Sequence, residues 1–137
     1  MEENQNFIFE QTGEMSNQRH ILIIDDDVNM LKTLRHYLQD AYKVTVISSG
    51  KAAVDFLLKY TPDLILLDYM MPMFNGTAVF KIIKSREATK NIPVYFLTGQ
   101  TDKATVMECL SLKPAGYIVK PVAKDALLEK MAKALSK

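Results

Sequence analysis

The sequence has little of what marks an extracellular or membrane protein. Its 137 residues include a single cysteine, Cys109, so no internal disulfide can form. No apolar stretch approaches the roughly 18 residues that a bilayer-spanning helix needs. No pattern typical of a signal peptide is present either. We therefore expect a protein of the reducing cytoplasm that does not bind membranes.

The sequence also lacks a strong excess of charge. The formal net charge at pH 7 is +1 and the lysines are scattered, so we expect no direct binding of nucleic acid. Residues 1–18 differ from the rest because they contain acidic but no basic residues, with one apolar cluster at Phe7-Ile8-Phe9. We expect 1–18 to be a disordered acidic tail and 19–137 to form one domain. The alternative is that Phe7 and Phe9 dock on the domain or on a partner.

Internal repeats and low-complexity linkers are absent as well, and what is present is a regular alternation. Five strand-like apolar segments alternate with five segments of helical periodicity; the strand-like segments are 21–25, 42–48, 63–68, 92–99 and 116–121. Alternation of this kind predicts an α/β fold, a doubly wound five-stranded parallel sheet with helices on both faces. The expected strand order is 2-1-3-4-5, with ligands bound beyond the carboxyl ends of the strands.

The helical segments predict which side chains face the sheet. In the second helix the apolar face contains Ala53, Val54, Leu57 and Leu58, and in the fourth it contains Val106, Cys109 and Leu110. Cys109 is accordingly expected in the core.

Acidic residues end two strands that the expected topology makes neighbours. Asp25, Asp26 and Asp27 follow the first strand, and Asp68 ends the third. Carboxylates about 4 Å apart repel by about 4 kcal/mol at an effective dielectric of 20, so they coexist only with a cation or with one proton retained. Mg²⁺ suits Asp25, Asp26 and Asp68 best. Asp27 is expected to cap the first helix instead.

Two further polar residues end strands at the same edge. Thr98 ends the fourth strand and Lys120 ends the fifth. Alone, the threonine could cap the next helix and the lysine could extend to solvent. Together with the acids they indicate phosphoryl transfer, with Asp68 as nucleophile and Lys120 neutralising phosphoryl charge. The bond between Lys120 and Pro121 is a candidate cis peptide.

Four motifs in fixed order carry a family resemblance: ILIIDDD, DLILLDYMMPMFNG, IPVYFLTGQTD and GYIVKP. Over residues 20–137 the sequence resembles the receiver domain of two-component response regulators, the chemotaxis-regulator type of flavodoxin-like fold. The resemblance implies that Asp68 accepts a phosphoryl group from a sensor histidine kinase or a phosphotransfer protein. It also implies a set of site residues: Asp25, Asp26, Asp68 and the backbone carbonyl of Met70 for Mg²⁺, Thr98 and Lys120 for the phosphoryl group, and Thr98 and Tyr117 for the switch.

The resemblance implies a signalling switch rather than an enzyme with an external substrate. The surface of helix 4, strand 5 and helix 5 would regulate a downstream protein, and a phosphorylation-dependent dimer stays open. Tyr117 has an alternative role as half-buried packing. The alternative function is a small Mg²⁺-dependent aspartyl-phosphate phosphatase or phosphotransferase. Met70 cannot supply the general acid that such an enzyme needs, and its apolar side chain predicts slow self-hydrolysis.

Overall fold

The computed structural model describes residues 18–71, 75–99 and 103–136. These contain five strands and five helices in strict alternation: β1 (His20–Ile24), α1 (Val28–Leu38), β2 (Lys43–Ile47), α2 (Gly50–Leu57), β3 (Leu64–Asp68), α3 (Gly76–Ser85), β4 (Val94–Thr98), α4 (Lys103–Ser111), β5 (Gly116–Val119) and α5 (Lys124–Leu135). Residues 1–17, the bulk of the expected acidic tail, lie outside the described residues.

The strands form one parallel sheet in the order β2-β1-β3-β4-β5, which confirms the predicted topology. β1 and β3 are direct neighbours, with Ile24 opposite Leu67. Residues just beyond the carboxyl ends of these two strands therefore meet, because parallel strands end at the same edge of a sheet.

Two apolar layers cover the sheet and explain why its central strands are apolar at nearly every position. On one face, α2, α3 and α4 pack over residues such as Leu67 and Phe96. On the other, α1 and α5 pack over residues such as Ile23 and Leu66. Every residue of β3 is buried, so the carboxyl group of Asp68 lies at the end of a strand that is shielded from solvent.

In the predicted faces of α2 and α4, Ala53, Leu57 and Cys109 are buried and Val54 and Val106 are half-buried, but two residues are exposed. Leu58 is 54% exposed because α2 ends at Leu57 and Leu58 is its C-cap residue, beyond the buried face. Leu110 is 49% exposed although its neighbour Cys109 is buried. Helix α4 has Cys109 as its one fully buried side chain, so its contact with the sheet is narrower than the apolar pattern predicted.

Strand β5 ends one residue earlier than the sequence analysis predicted. β5 ends at Val119, and the peptide bond between Lys120 and Pro121 is cis. Lys120 therefore lies in the loop, although its backbone N–H still donates to the Thr98 carbonyl over 2.8 Å. Among the described residues, no helix has the length and apolar character needed to cross a membrane.

Candidate functional site

Three carboxylates meet at the carboxyl-terminal edge of the sheet. Asp25 lies one residue past β1 and Asp68 is the last residue of β3. Both are buried, whereas Asp26 is exposed. One oxygen from each of these three residues lies within 4.8 Å of the others. The structure therefore brings together the three acids that the sequence placed at neighbouring strand ends.

The ammonium group of Lys120 lies between the two buried acids. Its Nζ atom is 2.8 Å from Asp25 Oδ2 and 3.3 Å from Asp68 Oδ1. The first contact is a short ion pair with a fully buried carboxylate oxygen. Burial opposes the charge of Lys120, but hydrogen bonding and the charges of Asp25 and Asp68 outweigh it and raise the pKa of the lysine.

The surroundings of Asp68 shift its pKa strongly. Its Oδ1 atom accepts from the backbone N–H of Met70 over 3.3 Å as well as from Lys120. Burial, reinforced by the neighbouring charge of Asp25 and opposed by Lys120, raises the pKa of Asp68 from 3.8 to about 7. In the absence of a cation, these surroundings therefore favour the neutral form of Asp68.

Asp27 faces away from the cluster and caps α1. Its Oδ1 atom accepts from the backbone N–H groups of Asn29 and Met30, at 3.0 and 3.2 Å. This confirms the capping role that the sequence favoured. The backbone N–H of Asp27 donates to Asp25 Oδ1 over 2.9 Å, which leaves Oδ2 as the oxygen of Asp25 that faces the site.

Thr98 and Tyr117 occupy neighbouring strands next to the acids. Thr98 ends β4 and is buried, and Tyr117 in β5 is half-buried against the core layer under α2, α3 and α4. The register pairs Phe96 with Tyr117 and Thr98 with Val119. Because side chains alternate along a strand, Thr98 and Tyr117 share one face of the sheet, as a coupled pair requires.

The loop after Asp68 carries an exposed and a buried side chain. Met70 is 61% exposed at the rim of the site, and the role of its carbonyl as a metal ligand stays a prediction. Tyr69 is buried, with its ring edge-on to Phe96 at 5.2 Å. Its hydroxyl has no hydrogen-bond partner among the described residues. Burial and the nearby Glu108 raise the pKa of Tyr69 well above its usual value.

Gly76 contributes to the site in a way that the sequence did not reveal. A Cβ atom at this position would overlap the backbone carbonyl oxygen of Asp68, because the start of α3 lies directly against the end of β3. The backbone N–H of Gly76 donates to the Tyr69 carbonyl over 3.3 Å. Asn75 precedes it as the N-cap, accepting from the Ala78 N–H over 3.1 Å. Only a glycine after an N-cap allows this approach.

The donor set fits a hard divalent cation. Its side-chain ligands are all carboxylate oxygens, which Mg²⁺ prefers. One ammonium group, 2.8 Å from Asp25 Oδ2 and 3.3 Å from Asp68 Oδ1, faces three carboxylates, so negative charge is left for a cation to offset. The arrangement suits one cation, with Lys120 supplying the remaining positive charge.

Comparisons with known proteins agree with this geometry. The family model described as "Response regulator receiver domain" matches residues 21–132. Response regulator SaeR of Staphylococcus aureus is 34% identical over 110 residues, which cover 80% of this chain and 47% of that protein. A protein of Vibrio cholerae named "Probable cyclic di-GMP phosphodiesterase" is 35% identical over 118 residues, covering 86% of this chain and 27% of that protein. The chain thus spans from about a quarter to about half of these relatives.

A solved structure shows the same architecture over nearly its full length. The chemotaxis protein CheY4 of Vibrio cholerae superposes with a TM-score of 0.80 at 28% identity, covering 86% of this chain and 99% of that one. The fold and site define a receiver domain of the two-component class. The chain belongs to the response regulator receiver domain family.

Proposed function

We propose that the protein is a phosphorylation-controlled signalling switch in which Asp68 accepts the phosphoryl group. The convergence of Asp25, Asp26, Asp68 and Lys120 at one sheet edge carries this proposal. Two buried carboxylates side by side destabilise a fold, so their placement indicates a functional demand. The donor is a phosphohistidine on a sensor histidine kinase or a phosphotransfer protein.

The transfer is a direct displacement at phosphorus. One carboxylate oxygen of Asp68 attacks, the new P–O bond forms, the P–N bond breaks, and the imidazole leaves with the bonding electrons. Asp68 Oδ1 already accepts from Met70 and Lys120, so we assign the attack to the other oxygen. Lys120 stays within reach to neutralise the transferred group, and the hydroxyl of Thr98 donates to it.

The residues proposed to hold Mg²⁺ are Asp25, Asp26, Asp68 and the backbone carbonyl of Met70. When bound, the ion offsets the negative charge of the carboxylates and of the phosphoryl oxygens. Asp25 is kept in position by the N–H of Asp27, and Asp68 by the N–H of Met70. Both buried acids are therefore held before a cation or a phosphoryl group arrives.

The output is a population shift at the neighbouring strands. The phosphoryl group draws Thr98 inward, and the ring of Tyr117 moves into the space on the same face of the sheet. The surface formed by α4, β5 and α5 then changes its affinity for a downstream protein. The domain catalyses only its own phosphorylation and dephosphorylation. The same α4, β5 and α5 surface would form the contact in a phosphorylation-dependent dimer.

Intact-mass analysis tests the acceptor directly. The chain is incubated with acetyl phosphate and Mg²⁺, and the expected result is one added phosphoryl mass in the wild type and none in Asp68→Asn. A wild-type protein that stays unmodified while folded, or an Asp68→Asn variant that still gains the mass, contradicts the proposal.

Asp27→Asn is the matched control, because it removes the same charge one residue beyond the proposed metal pair. Asparagine is an equally good N-cap, so α1 should be unaffected. This variant is expected to gain the phosphoryl mass at the wild-type rate. A loss of phosphorylation in Asp27→Asn would show that net charge, rather than the position of Asp68, controls the reaction.

A further inference from the structure

A groove runs along α5 beside the edge strand β5. It consists of two adjoining cavities of about 330 and 350 Å³ that share Ala126 and Lys130 in their walls. The cavity of about 330 Å³ is lined mainly by apolar residues such as Val119 and Val122. Its volume is at the lower end of the range of ligand-binding clefts, so it suits one or two side chains better than a whole ligand.

The cavity of about 350 Å³, here named the aromatic slot, is bordered by the ring of Tyr95 and by the cationic side chain of Lys130. The ring of Tyr95 leans over Gly116, where an added Cβ atom would come within 2.9 Å of the ring. The Nζ atom of Lys130 lies 5.9 Å from the centre of the same ring. Lys133 and Glu129 complete the wall and pair with each other at 3.7 Å. An occupant with aromatic side chains and negative charge would match Tyr95 and Lys130 together.

The first described residues of the chain lie beside the end of α5, the helix that forms one wall of this groove. Arg19 Nη1 donates to the carbonyl of Leu135, the last residue of α5, over 3.2 Å. Helix α5 is 12 residues long, or about 18 Å. The ten residues from Phe9 to Gln18 reach about 33 Å when extended. Phe7 and Phe9 can therefore reach either cavity of the same chain.

We propose that the segment containing Phe7-Ile8-Phe9 docks in this groove of its own chain. Residues 1–18 contain four acidic residues and no basic residue, and Lys130 lies at the rim of the aromatic slot. The docking does not depend on phosphoryl transfer. If the α4, β5 and α5 surface also serves as output, which rests on the proposed function, the segment competes there with the downstream protein.

Paramagnetic relaxation in the full chain tests the docking. A nitroxide is attached to Gln5→Cys, because the native Cys109 is buried and its lack of reaction is checked by intact mass. The amide signals of Ala126 and Lys130 are expected to lose most of their intensity, while those of α2 on the opposite face keep theirs. Full intensity at Ala126 and Lys130, or losses centred on another face, overturns the proposal.

Two variant comparisons separate docking from chance encounters. Phe7→Ser with Phe9→Ser should restore the lost signals, because the aromatic anchors are gone. Lys130→Glu should restore them in part, whereas Lys81→Glu, the same charge change at an exposed position of α3, should not. Equal effects of the two lysine variants would contradict a specific role for the groove.

A mixing experiment distinguishes one chain from two. Chains that carry the nitroxide but no ¹⁵N are mixed with ¹⁵N chains that carry no nitroxide. The groove signals of the ¹⁵N chains should keep their intensity. A loss there would show that the segment reaches the groove of a second copy, which overturns docking within the chain.

Discussion

Two polar clusters lie at opposite ends of the same sheet and are built in opposite ways. At the amino-terminal edge, the backbone N–H of His20 donates to the Asp63 carboxylate over 2.7 Å, and its ring hydrogen-bonds to the Thr45 hydroxyl at 2.8 Å. At the carboxyl-terminal edge, Asp25 and Asp68 are buried side by side. The first cluster pairs its polar groups, whereas the second places three carboxylates around one ammonium group, an arrangement of like charges that lowers stability.

Burial favours the neutral form of both His20 and Asp68, but the resulting changes of stability with pH have opposite signs. Burial, helped by Lys43 and opposed by Asp63, lowers the pKa of His20 from 6.5 to about 4. Burial raises the pKa of Asp68 from 3.8 to about 7. Stability due to His20 is present above pH 6.5 and lost as pH falls towards 4. Stability due to Asp68 is present below pH 3.8 and lost as pH rises through 7. Between these limits the two contributions oppose each other.

The largest expected effect comes from disturbing the backbone of the acidic end. Gly76→Ala forces a methyl group against the Asp68 carbonyl, and we expect a loss of about 3 kcal/mol in the free energy of unfolding, measured by urea titration. Gly99→Ala, where an added Cβ has no neighbour within 4 Å, should cost much less. Equal losses would show that the tight approach of α3 to β3 is unimportant.

A smaller effect of opposite sign is expected from removing the charge of Asp68. Without divalent cations at pH 8, Asp68→Asn should raise the free energy of unfolding by about 2 kcal/mol, since the wild type must then ionise a buried acid whose pKa is about 7. Asp27→Asn should leave it unchanged. A destabilised Asp68→Asn variant would mean that the bonds from Met70 and Lys120 outweigh the repulsion by Asp25.

At the amino-terminal edge of the sheet, His20→Gln should make the free energy of unfolding less sensitive to acid. The wild-type histidine must be kept neutral in the fold, so the variant should lose about 1–2 kcal/mol less than the wild type between pH 7 and pH 4.5. Urea titrations across this range measure it. His36→Gln, at an exposed position of α1, serves as control and should follow the wild-type curve.

The smallest effect on stability is expected at Met70, where the change is kinetic. Its exposed apolar side chain at the rim cannot orient water, so the phosphorylated wild type should persist for minutes or longer. Met70→Asn should hydrolyse several-fold faster with an unchanged free energy of unfolding, followed by loss of the phosphoryl mass over time. A wild-type lifetime of seconds would contradict this explanation.

The fold was predictable because its strands and helices alternate with clear periodicity. The ends of apolar strands also located Asp25, Asp68 and Thr98 correctly, since the topology fixes which ends are neighbours. The capping role of Asp27 followed from its place directly before a helix. These inferences rest on short-range pattern and on the rules of parallel sheets, and both are visible in a sequence.

Other features depend on distances that no pattern encodes. The need for glycine at Gly76 arises from the backbone of β3, which lies against the start of α3 only once the sheet has formed. The exposure of Leu110 reflects how α4 is seated over the sheet, and periodicity alone assigned it to the apolar face. The paired environment of His20 requires Asp63 and Thr45 from two other segments, so it was visible only in three dimensions.

The hydrogen bond between Arg19 and the Leu135 carbonyl also has a consequence for engineering. It holds the first strand and the last helix together at the edge farthest from the acids, about 16 Å away along a five-residue strand. Joining residue 136 to residue 18 through a linker should therefore close the domain into a ring. A reporter fused at this junction would leave the chemistry at the far rim unobstructed.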